Sequence, residues 1–457
     1  MCGIFGMFGH KEAGRLAYLG LYALQHRGEE SAGVISWNGK KLYLRKGMGL
    51  VGDIFDEKAI KSLKGGTAIG HVRYSTTGSS TSKNIQPFFV NHRNGHIVIA
   101  HNGNLTNTLK LRDGMEDSGS IFQTTMDSEI IAHLIASCPD KDYYKSLPWA
   151  LSRLQGAYSL VLMVNGILIG ARDPQGIRPL CLGKLDGAFV LASETCALDL
   201  IQAEYIRDIE PGEIVFISKK GVESIKPFPK KKHSLCIFEF IYFARPDSNI
   251  FGKNVYLARK KLGENLAREY CLKKCDLCMP VPDSGVYASI GFAEKSAIPF
   301  EMGMIRNHYV GRTFIQPSQF IRNFRVKVKL NPIKEVLKDK RIVVIEDSIV
   351  RGTTSRVRVK TIRDAGVKEV HMGVSCPPIK YPCFYGIDFP TRKELIASKR
   401  GIEWIRDYIG LDSLKYLSLE GMLSAIPLPK ENFCTACFSG NYPIEIPKKV
   451  SKAMLEK

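Results

Sequence analysis

The sequence predicts two fold classes in tandem, an α+β first half built from antiparallel sheets with helices and an α/β second half built on a parallel sheet. Three observations carry this. The chain has 457 residues, beyond the size at which a single hydrophobic core stops growing. The pairs Asn38-Gly39, Asn94-Gly95 and Asn165-Gly166 each sit beside apolar or β-branched residues, the signature of hairpins and hence of antiparallel strands. Past residue 233 the pattern changes to apolar strands separated by helical stretches, with CDLCMPVPDSG, RIVVIEDS and KEVHMGVSC as the strands.

In the first half, Leu16, Leu19 and Ala23 fall at helical spacing within Glu12 to Gln25, and Gly28 lies beyond the end of that helix. Residues 219–233, KKGVESIKPFPKKKH, break both periodicities and carry two prolines among lysines, so the linker is placed there, with domains at 1–232 and 233–457. Hydrophobic residues make up 44% and charged residues 24%, the balance of a soluble globular protein. The N-terminus lacks the pattern of a secretory signal, and the longest apolar stretch, YSLVLMVNGILIGA, is broken by Asn165-Gly166, so a cytoplasmic protein with no membrane partner is expected. In that compartment the 12 cysteines are read as buried thiols, metal ligands or catalytic groups rather than disulfides. The net charge of +20 suits nucleic acid, an anionic substrate or a solvated surface. The run Lys230, Lys231, Lys232 and the basic C-terminal tail lack the interleaved aromatics of a single-strand-binding platform, and no nucleic-acid partner is expected.

Cys2 directly follows Met1, and a residue this small in second position permits removal of the methionine. The thiol would then share its residue with a free α-amine, which titrates near ~8 and can take the thiol proton without a separate histidine. Singly, Cys2 also reads as a buried strand residue, Arg73 as a surface salt bridge and Asn102-Gly103 as a hairpin turn. Together, MCGIFG, QHRGEESAG at 25–33, GHVRYSTTG at 70–78, HNGNL at 101–105 and Asp127 in TTMDSE resemble the class II glutamine amidotransferases, in family order over about the first 230 residues. The resemblance implies an N-terminal-nucleophile hydrolase sandwich, with antiparallel sheets between helices. It implies Cys2 as nucleophile, Asn102 and the Gly103 N–H as oxyanion hole, and Arg73 and Asp127 as holders of the carboxylate and ammonium of glutamine.

Residues 341–366 read as a buried strand, a turn containing Gly352 and a helix ending near Gly366. A helix N-terminus after a glycine, with the hydroxyls of Thr353 and Thr354, binds phosphate, and Glu346 and Asp347 before it suit ribose hydroxyls and Mg²⁺. The segment resembles the phosphoribosyl pyrophosphate loop of type I phosphoribosyltransferases, and its core Ser348, Ile349, Val350, Arg351, Gly352, Thr353, Thr354 resembles that of the glutamine phosphoribosylpyrophosphate amidotransferases. VPDSG at 281–285 resembles the family's pyrophosphate-side loop, which implies Ser284 with Glu346 and Asp347 at Mg²⁺. Residues 307–319 resemble the loop that closes over substrate, with His308 in place of the usual arginine. Lys329 matches a lysine facing pyrophosphate, and Lys327 replaces an arginine. The implied reaction joins ammonia from glutamine to phosphoribosyl pyrophosphate, giving 5-phosphoribosylamine, glutamate and pyrophosphate at the entry to purine synthesis. Feedback by purine nucleotides and a dimeric or tetrameric homo-oligomer are implied with it. The competing class is a phosphoribosyl pyrophosphate sensor that binds nucleic acid, which has no use for the Cys2, Arg73, Asn102, Asp127 set.

Cys434 and Cys437 form a C-x-x-C pair, a spacing that suits a metal or an iron–sulfur cluster and also arises by chance. With Cys236 in CIFEFIYFARPDS and Cys383 in YPCFYGID, they fall in segments resembling the family's iron–sulfur branch, which implies a structural [4Fe–4S] cluster; zinc and free thiols are the alternatives. Cys271, Cys275 and Cys278 also have a cluster-like spacing and are read as buried thiols.

Overall fold

The computed structural model describes residues 1–75, 78–93, 95–272, 274–307, 330–389, 391–446 and 455. In the first half, seven strands lie in the order Glu204–Asp208, Cys181–Leu185, Ala188–Ala192, Gly3–Phe8, Thr67–Arg73, Ser31–Trp37, Leu42–Met48. A second sheet of six runs Gly221–Ile225, Ile214–Ser218, Ile167–Arg172, Gly156–Val164, Gly95–Leu105, Phe88–His92. All the described pairings in both sheets are antiparallel.

The strand Gly156–Val164 shows why the sheets stack. It is buried throughout, with Val161 and Met163 in the core between the sheets and Leu160, Leu162 and Val164 in the core under the helices Ser128–Ser137 and Tyr143–Leu151. Side chains alternate across a strand, so a run that is apolar on both faces has to be covered on both. The other sheet is covered in the same way. Ile4 faces the inter-sheet core while Phe5 and Met7 face the helix Ala13–Ala23, whose Ala13, Ala17 and Leu21 recur at helical spacing. The first half is therefore a helix, sheet, sheet, helix sandwich.

Two sequence expectations shift. The helix expected from Glu12 to Gln25 spans Ala13–Ala23 and passes into a 3₁₀ turn at Gln25–Arg27. The expected linker 219–233 opens with the strand Gly221–Ile225, which pairs with Ile214–Ser218 as a sheet edge. Its side chains are all exposed or half-buried, so it lacks the apolar alternation by which strands are read. Residues 226–234 hold no regular element. Asn165-Gly166 does form the tight turn between Gly156–Val164 and Ile167–Arg172, both residues taking positive φ of 49° and 84°. Asn94, Lys327, Lys329 and His308, with the rest of 308–319, lie outside the described residues.

The second half is built on four parallel strands in the order Leu277–Pro280, Arg341–Glu346, Glu369–Val374, Ser413–Tyr416. The helices Val255–Glu269 and Val286–Ser296 cross closely because both contact points are glycines. A Cβ on Gly263 would lie 1.8 Å from the Ala288 carbonyl oxygen, and one on Gly291 would lie 1.9 Å from that of Lys260. A short parallel pair, Leu235–Cys236 with Phe433–Cys434, ties the start of this half to its end. No helix among the described residues is long and apolar enough to cross a membrane.

Gly263→Leu should therefore force these helices apart and destabilise the protein by about 1–3 kcal/mol or more. Gly52→Ala, where a Cβ meets nothing within 4 Å, should leave the thermal unfolding midpoint unchanged.

Candidate active sites

Cys2 enters the first sheet at the central strand Gly3–Phe8, whose neighbour Thr67–Arg73 pairs Val72 with Gly3. That register sets Arg73 beside Cys2. The opposing sheet supplies Asn102 and Gly103 from the strand Gly95–Leu105, so the stacking of two sheets, rather than a turn, brings these residues to Cys2. The Cys2 backbone N–H donates to Asn102 Oδ1 at 3.3 Å, and the thiol lies 3.6 Å from the Tyr74 carbonyl oxygen. Asn102 Nδ2 is a buried donor with no acceptor among the described residues. Gly103 admits no side chain, since a Cβ would lie 2.0 Å from the Ala157 carbonyl oxygen. Cys2, Arg73, Gly103 and Asp127 line one pocket with Tyr74, Gln86, His101 and Met126.

Cys2 is buried beside its strand, as its single-residue reading has it, but those for Arg73 and Asn102-Gly103 do not survive. Arg73 is 3% exposed, donating to the Ser79 carbonyl at 3.0 Å, and Asn102-Gly103 lies within a continuous strand. Asp127 Oδ2 accepts the Leu105 N–H at 3.0 Å, and Oδ1 lies 3.6 Å from His101 Nδ1. Burial pushes this carboxyl up, but His101 and the hydrogen bonds from Leu105 and Ser128 outweigh it and hold Asp127 below its ordinary value. His101 and Gln86 also support the pocket wall, the His101 N–H donating to Gln86 Oε1 at 2.9 Å. The sequence motifs contain His101 but nothing in its pattern marks a role, and Gln86 carries no motif at all.

Met1 is present and buried, with its sulfur 2.6 Å from Arg178 Nη1. Burial lowers its α-amine to about 5, and the nitrogen of Cys2 is here a peptide N–H. Behind Cys2, Arg27 Nε donates to the Cys2 carbonyl at 2.9 Å.

In the second half, Glu346 ends the strand Arg341–Glu346 and Asp347 opens the loop beyond it. Both are buried. Asp347 accepts hydrogen bonds from the hydroxyls of Ser284 and, at 2.5 Å, Ser348. Glu346 pairs with Arg358 Nη1 at 2.7 Å. Burial, reinforced by the Asp347 charge and opposed by Arg358, pushes Glu346 up to about 7; burial also raises Asp347. Gly352 takes φ 74° and caps the helix Thr353–Arg363, with Thr353 and Thr354 exposed on its first turn. Ile349 is buried, the Val350 carbonyl accepts the Ile396 N–H at 3.0 Å, and Arg351 pairs with Glu394 at 2.8 Å. Tyr74, from the first pocket, feels Arg351 of the loop, and Tyr242 feels Asp347, Glu346 and Tyr74, although burial is the larger cause that raises both phenols.

Cys236, Cys383, Cys434 and Cys437 line a second cavity with Arg178 and Tyr385. Cys236 and Cys434 are register partners in the short parallel pair. Burial pushes the Cys236 thiol up to about 11 and those of Cys434 and Cys437 further. No group of three or more His, Cys, Asp or Glu among the described residues closes on a single ion. Cys271, by contrast, is exposed and Cys278 is buried in a strand, its thiol 3.7 Å from the Ser289 carbonyl.

The depressed Asp127 carboxyl has a stability consequence with a fixed sign. Its hydrogen bonds contribute fully above its ordinary value of 3.8 and are lost as pH falls through its lower folded value. Asp127→Asn should flatten the acid limb of unfolding free energy against pH, measured by denaturant titration.

Comparison with known proteins agrees with both halves. A glutamine amidotransferase domain model matches residues 71–200. The amidophosphoribosyltransferase of Synechococcus elongatus is 50% identical over 464 residues, covering 100% of this chain and 94% of that protein. That of Bacillus subtilis is 48% identical over 450 residues, covering 97% and 94%. Among solved structures, the glutamine phosphoribosylpyrophosphate amidotransferase from B. subtilis complexed with ADP and GMP aligns with a TM-score of 0.93 at 46% identity, over 98% of this chain and 99% of that one. Another, described as the allosteric regulatory enzyme of purine biosynthesis, aligns with a TM-score of 0.94 at 47% identity, covering 98% and 97%. With similarity running through the pocket around Cys2 and the loop after Glu346 alike, the chain belongs to the amidophosphoribosyltransferase family.

Proposed function

We propose that this chain converts glutamine, phosphoribosyl pyrophosphate and water to 5-phosphoribosylamine, glutamate and pyrophosphate, the first step of purine biosynthesis. The observation that carries this reading is the pocket in which Cys2, Arg73, Gly103 and Asp127 meet, in one chain with a buried acidic pair at the head of a glycine-capped helix. A nucleic-acid-binding sensor would leave that pocket without a purpose.

Once Met1 is removed, the α-amine of Cys2 takes the thiol proton and the thiolate attacks the carboxamide carbon of glutamine. Arg73 and Asp127 hold the α-carboxylate and α-ammonium. The charge that develops on the amide oxygen meets Asn102 Nδ2, a donor with no other described acceptor, and the Gly103 N–H. The amine returns its proton to the departing ammonia, and water then cleaves the thioester to glutamate. Ammonia has to cross to the second site unprotonated. At the second site the helix N-terminus at Gly352, with Thr353 and Thr354, receives the 5′-phosphate. Glu346 and Asp347 accept the ribose hydroxyls. Arg351 meets phosphate charge. Ammonia then displaces pyrophosphate from C1.

Two groups fit the residues present. Ser284, Glu346 and Asp347 offer the hard oxygen donors that Mg²⁺ requires, and the ion supplies charge neutralisation on the departing pyrophosphate. The four thiols of Cys236, Cys383, Cys434 and Cys437 line one cavity, the thiolate donor set that a [4Fe–4S] cluster takes. Arg178 beside them offsets the negative charge of four thiolates. The role is structural, since nothing in the reaction transfers electrons. Feedback by purine nucleotides is proposed on the strength of the B. subtilis relative's complex with ADP and GMP, and a cytoplasmic location goes with the reading.

Glutamate and pyrophosphate should appear in equal amounts when anaerobically purified protein receives glutamine, Mg²⁺ and phosphoribosyl pyrophosphate. Cys2→Ala should lose this activity and keep the ammonia-dependent one; loss of neither or of both would refute the assignment. Asn102→Ala should lower glutamine-dependent kcat by about 10²–10³. Iron and sulfide analysis should find both in equal amounts, and Cys434→Ser should lose the two together.

A further inference from the structure

We infer that Glu239, from the half of the chain that carries the phosphoribosyl loop, is a positioning residue for glutamine hydrolysis, holding the Arg27 guanidinium that fixes the Cys2 carbonyl. The inference rests on the proposed glutaminase reading and concerns a residue inside the CIFEFIYFARPDS segment to which the sequence assigned no role.

Arg27 has no solvent-exposed side-chain surface. Its Nε donates to the Cys2 carbonyl at 2.9 Å, which leaves the two terminal nitrogens to be held from behind. Glu239 does this bidentately, Nη1 to Oε2 at 3.0 Å and Nη2 to Oε1 at 2.9 Å. Such a fork fixes the plane of the guanidinium and hence the direction of Nε. Glu194 also receives Nη1, but it is committed elsewhere, to His26 Nε2 at 2.9 Å, the Arg245 N–H at 2.9 Å and the Ser248 hydroxyl at 2.7 Å. Glu239 Oε1 further accepts Arg178 Nη1 at 3.3 Å, and Arg178 donates twice to the Tyr385 carbonyl, at 2.9 and 2.6 Å. Two buried arginines are balanced by two buried carboxylates, so neutralising Glu239 leaves a guanidinium uncompensated. Glu239 opens the π-helical turn Glu239–Phe243, a geometry concentrated at functional sites.

The side chain of Glu239 supports Cys2 but is no part of the surface that grips glutamine, since Arg73 and Asp127 belong to other segments. Loss of its charge should thus misplace the nucleophile without weakening substrate binding. In the full-length protein, Glu239→Gln should lower glutamine-dependent kcat by about 10–100-fold, the cost of a displacement near 1 Å. KM for glutamine and ammonia-dependent activity should not change, and iodoacetamide should alkylate Cys2 more slowly by mass spectrometry. Glu239→Asp, which keeps the charge on a shorter arm, should recover part of the loss. A raised KM with unchanged kcat, or equal loss of both activities in both variants, would overturn the assignment. A wild-type protein that releases no glutamate sinks the glutaminase reading instead, and the alkylation rates then still decide whether Glu239 holds Cys2.

Discussion

A guanidinium with no access to water has to find acceptors for its donors inside the protein, and for Arg27 those acceptors come from segments far apart in the chain. Glu194 lies 167 residues away and Glu239 lies 212 residues away. Removing one partner of such a buried pair typically costs about 3–5 kcal/mol, because the remaining charge is stranded. The pairs with Glu239 cross from the first half to the second, so the halves cannot part without exposing or stranding charge. Cys2 sits on this seam, its carbonyl bonded to Arg27. The location of Cys2 and the association of the two halves are thus one structural constraint.

The same seam carries a second kind of contact, between backbones. Gly386 comes so close to Gly103 that a Cβ on it would lie 3.1 Å from the Gly103 carbonyl atoms, and Asn104 Nδ2 donates to the Phe384 carbonyl at 3.0 Å. Gly386 and Phe384 follow Cys383 directly, and the Tyr385 carbonyl between them binds Arg178. The cavity lined by the four cysteines is therefore continuous, through one short loop, with the strand that bears Asn102 and Gly103. A group that clamped those thiols would also fix the loop against that strand, which is the structural place of the proposed cluster.

What was legible in the sequence is what short-range chemistry writes. The Asn165-Gly166 turn, the Gly352 cap and the apolar run of Arg341–Glu346 each announce themselves within a few residues. The residues Cys2, Arg73, Asn102, Gly103 and Asp127 were found through their motifs, and the sheet stacking brings them to one place. The partners of Arg27 were not legible, since sequence pattern says nothing about which carboxylate meets which guanidinium across two hundred residues. Gln86 and His101 were missed for the same reason, as they act by hydrogen-bonding one another and the pocket wall. The edge strand Gly221–Ile225 was read as linker because its half-exposed side chains have no core to alternate against.

The proposed phosphoribosyl site shows how internal ion pairs prepare a surface for an anion. Arg351 and Glu394 form an exposed pair, with about half of each side chain in solvent, and such pairs are worth only about 0–1 kcal/mol. An incoming phosphate can therefore take Arg351 at little cost. The Arg358 pair with Glu346 is different, because Glu346 is nearly fully buried and burial pushes it up to about 7. A carboxyl in that condition gains from any further positive charge placed beside it, whether a cation or the hydroxyl hydrogens of a sugar. The loop thus combines an arginine that is easily released with carboxyls that are under-compensated, and a ligand bearing both phosphate and a coordinated cation satisfies the two at once.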